Sequence, residues 1–550
     1  MRGLQLTRVS LFLVILVSGT LASVVAAADA KPSVAPGAKE EMVAMRDGVC
    51  LATNIFLPKG EGPWPVVLTR TPYSKDGMFG SLAGRYTGAG YAFVIQDCRG
   101  RFRSEGEYRT FEDDLNDGFD TVEWIAKQNW CNSRVGMSGA SAMGITSLLA
   151  AIARPPALKA CYVVVAPESF WTEASWIGGV FKEADTTGWM ESQGVAHEVP
   201  RRKKSLLDTA EEEARDIARN RHLIQIPIYH VGGWYDIFST GTQGNFVFLH
   251  NHGADGARGR QKLLMGPFGH GGLTGDLKYK GDVGLLGAIS DDIRWFDYHL
   301  KDLPNGIADE PPVKYYQMAA ARKKEFSDKN GWRTAENWPP ASRETRYFLN
   351  GDRRLTTTAP TEGSAATTYA HDPANPVPTV GGANLTLPLG PKDQREIAER
   401  PDYLRFQTEP LTDDVSIAGT VWVELFASTD GPDTDFMVKL VDVYPDGYEA
   451  LLLDAPLRAM FRHGRRSDQI KPMEPGKPEK LRIDLGSTAQ TFEKGHRIAV
   501  HVSSSNHPRF EVNPNTGELP GEATSTPRVA QNTIHHDVEH PTALVLPVVE

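Results

Sequence analysis

Arg134-Val135-Gly136-Met137-Ser138-Gly139-Ala140-Ser141-Ala142-Met143-Gly144 leads into a largely apolar stretch of helical character, Ile145 to Ala153. A serine at a strand-to-helix turn with small neighbours is the pattern of a nucleophile elbow: the tight turn exposes the hydroxyl, and the small residues let the backbone pass closely. Two serines compete for the position. Ser138 has Gly136 two residues before it and Ala140 two after, which favours it mildly on local sterics. Ser141 has Gly139 before it but Met143 after it, and a strand of about 5–6 residues starting near Arg134 puts the turn closer to it. Neither matches G-x-S-x-G strictly, and the pattern alone leaves both open.

On either side of this segment, from Trp64 to about Leu300, short apolar runs alternate with helical texture. The runs are Pro65-Val66-Val67-Leu68, Tyr91-Ala92-Phe93-Val94-Ile95, Cys161-Tyr162-Val163-Val164-Val165, Ile226-Pro227-Ile228-Tyr229-His230-Val231 and Lys262-Leu263-Leu264-Met265. Each is nearly continuous in apolar residues, as expected of parallel strands buried on both faces. The fourth run continues into Gly232-Gly233-Trp234-Tyr235-Asp236, and the fifth into Gly266-Pro267-Phe268-Gly269-His270. An acid and a histidine each just past a strand's carboxyl end, after a serine elbow, follow the Ser, Asp, His order of α/β-hydrolases. Singly, Asp236 is more readily a turn residue and His270 a loop residue; jointly, in this order, they predict a triad with the serine.

Between Phe170 and Arg221 the chain turns charged and helix-favouring, with Arg201-Arg202-Lys203-Lys204 and Glu211-Glu212-Glu213, and shows no strand signal. Its place between two strands predicts a helical cap over the sheet edge. Beyond about Pro311, Val421-Trp422-Val423-Glu424-Leu425-Phe426, Phe436-Met437-Val438-Lys439-Leu440-Val441 and Arg497-Ile498-Ala499-Val500-His501-Val502 read as strands punctuated by turns such as Pro445-Asp446-Gly447. The predicted organisation is a leader over 1–28, a hydrolase domain over 38–169 and 224–310, a cap over 170–223, and an all-β sandwich of jelly-roll kind over 311–550.

The chain's 550 residues exceed what one core accommodates. With 40% hydrophobic and 23% charged residues the composition is ordinary for a globular protein, and a net charge of −10 leaves no basic field for nucleic acid. Arg2 and Arg8 precede an apolar run, Val9 to Val17, and small residues lead to Ala26-Ala27-Ala28, the pattern of a cleaved export signal. Ser18-Gly19-Thr20 interrupts that run short of a spanning length, so no stable membrane anchor is expected. Cys50, Cys98, Cys131 and Cys161 lack metal-ligand spacing and leave three full disulfide pairings open, while Cys98 and Cys161, in or beside strand-like runs, read as small buried side chains. His250-x-His252 has no evident third ligand and reads as surface loop. No metal or cofactor is expected.

These segments resemble the cocaine-esterase-like (CocE/NonD) hydrolases, a family related to α-amino acid ester hydrolases, cephalosporin acylases and X-prolyl dipeptidyl-peptidases. The resemblance covers nearly all the chain after the leader. It rests on Arg46-Asp47-Gly48-Val49, Arg70-Thr71-Pro72-Tyr73, Gln96-Asp97-Cys98-Arg99-Gly100-Arg101-Phe102, the elbow, Gly233-Trp234-Tyr235-Asp236, Gly266-Pro267-Phe268-Gly269-His270, Thr434-Asp435-Phe436, Leu440-Val441-Asp442-Val443-Tyr444-Pro445-Asp446-Gly447 and Val502-Ser503-Ser504-Ser505-Asn506. It implies an α/β-hydrolase domain, a helical cap and a β-sandwich closing over the site. The family's G-x-S-x-x-G elbow matches Gly139-Ala140-Ser141-Ala142-Met143-Gly144 and implies Ser141 as nucleophile, with Asp236 as acid and His270 as base. Tyr73 and the Ala142 N–H are implied as the oxyanion hole, and Trp176, Trp189, Phe238, Leu425 and Phe426 as the acyl pocket. For Leu425 and Phe426 a place in the sandwich core is an equal expectation, because alternate strand residues face inward. Relatives often carry Tyr where Ala142 stands, and the cap is short.

The function expected from this reading is hydrolysis of a small ester or amide with an apolar or aromatic acyl group. An α-amino acid ester hydrolase or X-prolyl dipeptidyl-peptidase is the alternative within the same chemistry, and a non-catalytic binding protein on the same fold is the alternative outside it. Glu168, Glu173 and Glu183 lie near the cap entrance, where acids are usually solvated, and none clearly forms an ammonium-binding cluster.

Overall fold

The continuous apolar runs become the centre of one ten-stranded sheet. Its strands are β1 (Lys39–Ala44), β2 (Cys50–Phe56), β3 (Trp64–Thr71), β4 (Ala92–Asp97), β5 (Cys131–Ala140), β6 (Leu158–Val164), β9 (Ile228–Tyr235), β10 (Lys262–Gly269), β11 (Val313–Gln317) and β14 (Gly331–Ala335). They lie in the order β1-β2-β4-β3-β5-β6-β9-β10-β11-β14. Every pair from β4 to β11 is parallel, and the pairs at the two edges are antiparallel. The computed structural model describes residues 34–550 except 78–79, 81, 208–214, 282–283, 288–289, 323–324, 362 and 364–365. The leader expected over 1–28 and the run Glu211-Glu212-Glu213 lie outside the described residues.

Helices Asp114–Ala126 and Ala142–Ala153 cover one face of the sheet, and helix Asp292–Lys301 covers the other. The parallel strands are therefore apolar on both sides: β4 is buried at every position, and in β6 only Lys159 is exposed. Each fully buried Val, Leu or Ile contributes about 1.5–3 kcal/mol over its exposed state.

Between β6 and β9 the cap consists of helices Glu183–Ser192, Val199–Lys204 and Ile217–Asn220 and a small hairpin, β7 (Trp176–Ile177) with β8 (Val180–Phe181), which the sequence does not signal. The main sheet does not end at residue 310 as the sequence reading expects. β11 pairs in parallel with β10, and β14 with β11, so the hydrolase sheet runs on to Ala335, with the hairpin β12 (Ala321–Arg322) and β13 (Glu325–Phe326) between them. The boundary was misplaced because β11 and β14 are short and expose polar residues such as Lys314 and Arg333, unlike the central strands.

The remainder is two antiparallel sheets packed face to face. One contains β15 (Arg343–Leu349), β16 (Leu355–Thr356), β17 (Ala366–His371), β19 (Val415–Thr429), β22 (Glu479–Phe492), β24 (Ala530–His535) and β25 (Ala543–Val548). The other contains β18 (Leu404–Gln407), β20 (Asp435–Val443), β21 (Glu449–Arg458) and β23 (Arg497–Ser503). Val421, Val423 and Leu425 of the first meet Phe436, Val438 and Leu440 of the second in one apolar cluster.

Arg70, at the end of β3 and fully buried, ties the sheet to its first helix. Its Nε donates to Gln96 Oε1 at 2.8 Å, one terminal nitrogen donates to Asp114 Oδ1 at 2.6 Å, and the other lies 3.5 Å from Asp117 Oδ2. Arg99 closes the group through Asp117 and Asp47, which gives the Cys98-Arg99-Gly100 loop after β4 a structural role. The loop that follows Arg70 carries Tyr73. Replacing Arg70 by Met leaves two buried carboxylates facing too little positive charge. We expect a loss of about 3–5 kcal/mol, read as a lower urea midpoint and a lower Tm.

Candidate active site

β5 runs past Ser138, which pairs with Tyr162 of β6, and ends at Ala140. Ser138 is buried, its carbonyl accepts the Thr69 hydroxyl at 2.8 Å, and its hydroxyl hydrogen-bonds that of Tyr86. The turn falls at Ser141, with φ 58° and ψ −124°, before the helix that starts at Ala142. A residue with a side chain rarely adopts this backbone, and it persists only where its surroundings impose it. The Ser141 N–H donates to Val164 O at 2.9 Å, and Ser141 O accepts from the Ile145 N–H at 3.0 Å. A Cβ on Gly139 would come within 2.3 Å of Met143 O, which explains the glycine two residues before the serine.

Asp236 and His270 arrive on neighbouring strands. β9 and β10 pair in parallel to Gly233 opposite Gly266, a shift in register then brings Tyr235 opposite Gly269, and Asp236 and His270 are the next residues of each. A Cβ on Gly233 would come within 2.1 Å of Phe268 O, so the approach of the two strands needs glycine there. Asp236 is buried, and its Oδ1 accepts the Phe238 N–H at 2.7 Å. Its Oδ2 lies 2.8 Å from His270 Nδ1, and His270 Nε2 lies 2.8 Å from Ser141 Oγ. These contacts can hold the imidazole with Nε2 free to take the serine proton.

Tyr73 stands beside the serine. Its hydroxyl accepts the Trp189 indole N–H at 2.9 Å and also engages the Ser141 side chain. Burial raises the phenol above its ordinary pKa, while those two hydrogen bonds act the other way, so it stays protonated at neutral pH. Ala142 is the first residue of its helix, so its N–H has no acceptor within that helix.

A cavity of about 70 Å³ opens at Ser141 and Ala142. Of the expected acyl-pocket residues, Trp189 and Phe238 line it, beside Phe111, Phe170, Ile145 and Met190, which the sequence reading did not select. Trp189 stacks on Phe111 with centroids 5.9 Å apart, and Phe238 meets the His270 ring edge to face at 5.6 Å. Three oxygens on the wall, Thr110 Oγ1, Thr186 Oγ1 and Asp185 Oδ2, are buried with no hydrogen-bond partner. No sequence motif marks these three.

Trp176, Leu425 and Phe426 do not line this cavity. Trp176, in β7, packs against Phe181, Met460 and Phe461 where the cap meets the sandwich. Leu425 faces inward between the two sandwich sheets, and Phe426, one residue on, faces outward against His540. The sandwich reaches the triad through β21 and β22 instead. Leu452, Leu453, Asp454, Ile483 and Leu485 share a second cavity of about 320 Å³ with Asp236 and Glu173. A larger cleft of about 590 Å³ lies at the amino ends of the strands, beside Arg134 and Leu158, on the side away from the triad. His250 and His252 form the last turn of helix Ser239–His252 and not a loop, with His250 stacked on Phe246. The four cysteines are free thiols.

Residues 47–223 match the model of X-Pro dipeptidyl-peptidases of the S15 family, and residues 305–545 match that of the X-Pro dipeptidyl-peptidase C-terminal non-catalytic domain. A cocaine esterase from Rhodococcus sp. (strain MB1 Bresler) is 33% identical over 93% of this chain and 98% of its own. The chain belongs to the cocaine-esterase-like, CocE/NonD family of serine hydrolases. Two solved structures share this build: an aminopeptidase from a marine sediment Thaumarchaeota archaeon (TM-score 0.81, 27% identity, 93% of this chain and 96% of that one) and an α-amino acid ester hydrolase (TM-score 0.80, 26% identity, 96% and 100%). No helix among the described residues is long and apolar enough to cross a membrane.

In this CocE/NonD hydrolase the cap acids are not uniformly solvated. Glu168 pairs with Arg221 and Glu183 with Lys203, but Glu173 is buried beneath the helix that follows the acid loop. Its carboxyl accepts the N–H groups of Gly241 at 2.6 Å and Glu168 at 3.1 Å. Burial and the nearby Glu168 charge push its pKa up to about 8, against those two hydrogen bonds. An acid whose pKa rises on folding binds more protons folded than unfolded, so its contribution is fully present below its unfolded value near 4.5 and is lost as pH climbs through about 8. The Tm of the wild type is therefore expected to fall from about pH 5 to about pH 9 by several degrees more than that of Glu173→Gln. Parallel melting curves across that range check it.

Proposed function

We propose that this chain is an exported hydrolase that opens a small ester or amide through an acyl-enzyme on Ser141. The observation that carries the reading is the continuous line from Asp236 Oδ2 through both His270 ring nitrogens to Ser141 Oγ, each link 2.8 Å. Ser141 Oγ attacks the carbonyl carbon while His270 Nε2 takes its proton, and Asp236 holds the ring and stabilises the imidazolium. The tetrahedral oxyanion forms against the Tyr73 hydroxyl and the Ala142 N–H. An indole N–H can only donate. Tyr73 must therefore accept from Trp189, and its one proton, close enough to engage Ser141 beforehand, is the one it donates to the oxyanion that forms there. His270 then protonates the leaving alcohol or amine, and a water attacks the acyl-enzyme by the same route in reverse.

Export rests on the leader-like segment over residues 1–28. We expect Ser141→Ala to lose at least about 10⁴-fold in kcat and all labelling by a serine-directed phosphonate. Tyr73→Phe should lose about 10²–10³-fold. Ser138→Ala should keep labelling and turnover; retention by Ser141→Ala and loss by Ser138→Ala would reverse the assignment.

The acyl group is apolar or aromatic, a reading supported by the rings of Phe111, Phe170, Trp189 and Phe238 around the cavity. Asp185 favours a second reading, an α-amino acyl group. One oxygen of Asp185 is held by the Leu385 N–H, and the other is unpartnered on the cavity wall, 3.9 Å from Lys182 Nζ. Because Lys182 already faces that charge, the first reading stands ahead. On a matched pair of esters, kcat/KM for the deaminated substrate should equal or exceed that for the free amine, and Asp185→Asn should change it little. A preference of about 10-fold or more for the amine, lost in Asp185→Asn, would establish the α-amino acyl reading instead.

A further inference from the structure

At the far edge of the sandwich, His535 ends β24, and Asp537 and His540 sit in the loop that returns to β25. One ligand-type atom from each of the three lies within 4.8 Å of the others. We propose that they form a binding site for a divalent ion of the zinc class, separate from the hydrolytic site and from both cavities beside it. The sequence predicts no metal, because it offers no cysteine pair and no third partner for His250 and His252, and the spacing here crosses a strand end and a turn.

Three observations carry the proposal. His540 Nδ1 stands 3.1 and 3.3 Å from the two Asp537 oxygens, close to the roughly 3.3 Å edge of a tetrahedron with bonds of about 2.0–2.1 Å. The Asp537 side chain is only 10% exposed, and among the described residues the one ion-pair distance it makes is to the His540 ring. The N–H groups of Glu539 and His540, each 2.8 Å from Oδ1, orient it without neutralising it, and a covered carboxylate in that state favours a cation. His535 Nε2 is held by Ser428 Oγ at 2.9 Å, the kind of outer partner that orients a metal-binding imidazole.

Both imidazoles are half-buried, so an ion can enter from solvent and keep water in its remaining position. Two imidazoles with one carboxylate suit zinc better than calcium or magnesium, which prefer all-oxygen sites. Bound there, the ion would fasten the β24–β25 loop to β19, where Ser428 and Phe426 already touch it. The competing account is a capped turn with a histidine–aspartate pair and no ion.

The test uses the metal-stripped full-length protein titrated with Zn²⁺ by calorimetry, and with Co²⁺ by visible absorption. The wild type should take up one zinc per chain, show the intense visible bands of four-coordinate cobalt, and gain about 5–10 °C in Tm when free zinc is about 100 times Kd. His535→Ala, His540→Ala and the milder Asp537→Asn should each weaken zinc at least about 100-fold while ester hydrolysis continues, which shows that they fold. His250→Ala should bind as the wild type does. No zinc uptake by the wild type, a cobalt spectrum of the weak six-coordinate kind, or equal uptake by the wild type and the His535→Ala/His540→Ala double variant would overturn the site.

Discussion

The left-handed backbone at Ser141 is the constraint on which the remaining active-site geometry depends. A residue with a side chain at φ 58° and ψ −124° costs about 1–3 kcal/mol. That cost is offset because the turn is held from both ends: by β6 through the Val164 carbonyl, and by the helix it starts through Ile145. Only this geometry lifts the hydroxyl out of the sheet and turns the first N–H of the helix toward the same space. The flanking glycine is a consequence, since any side chain at Gly139 meets the backbone of Met143.

A strained turn of this kind needs a rigid support, and the parallel sheet supplies it. β5, β6, β9 and β10 are hydrogen-bonded side by side, so the residues that leave the carboxyl ends of β5, β9 and β10 are placed within hydrogen-bonding distance although 129 residues separate Ser141 from His270. Arg70 extends the same support to Tyr73 by tying the end of β3 to Asp114 and Asp117. The cap and the sandwich then close the site with ionisable groups out of water: Lys182 and Asp185 on one side of the acid loop, and Glu173 under the helix beyond it. Buried ionisable groups are poor sources of stability, but they define one arrangement of the surfaces they join.

Legibility followed the strength of local patterning. The central strands were readable because burial on both faces demands unbroken apolar runs. β11 and the edge strand β14 were not, since both are short, Lys314 interrupts the one, and the exposed edge admits Arg333 in the other. Local sterics mildly favoured Ser138, strand length favoured Ser141, and the family's elbow spacing pointed to Ser141. In the structure the turn falls at Ser141 because β5 continues for two residues beyond Ser138. Trp189 and Phe238 reach the cavity as the resemblance implied, whereas Trp176, Leu425 and Phe426 are turned elsewhere by the pleat and by the contact between cap and sandwich.

By itself the sequence determined the parallel sheet, the inserted cap, the all-β second half and the chain order of serine, acid and base, because each is written in short-range periodicity or in the residue at a strand's end. Tertiary structure alone decided which side chains share a space. Phe111, Phe170 and Asp185 come to one cavity from separate segments, and His535, Asp537 and His540 to one loop edge. The physical reason is that periodicity reports which face of an element is buried, while the neighbour across that face is set by how the elements pack.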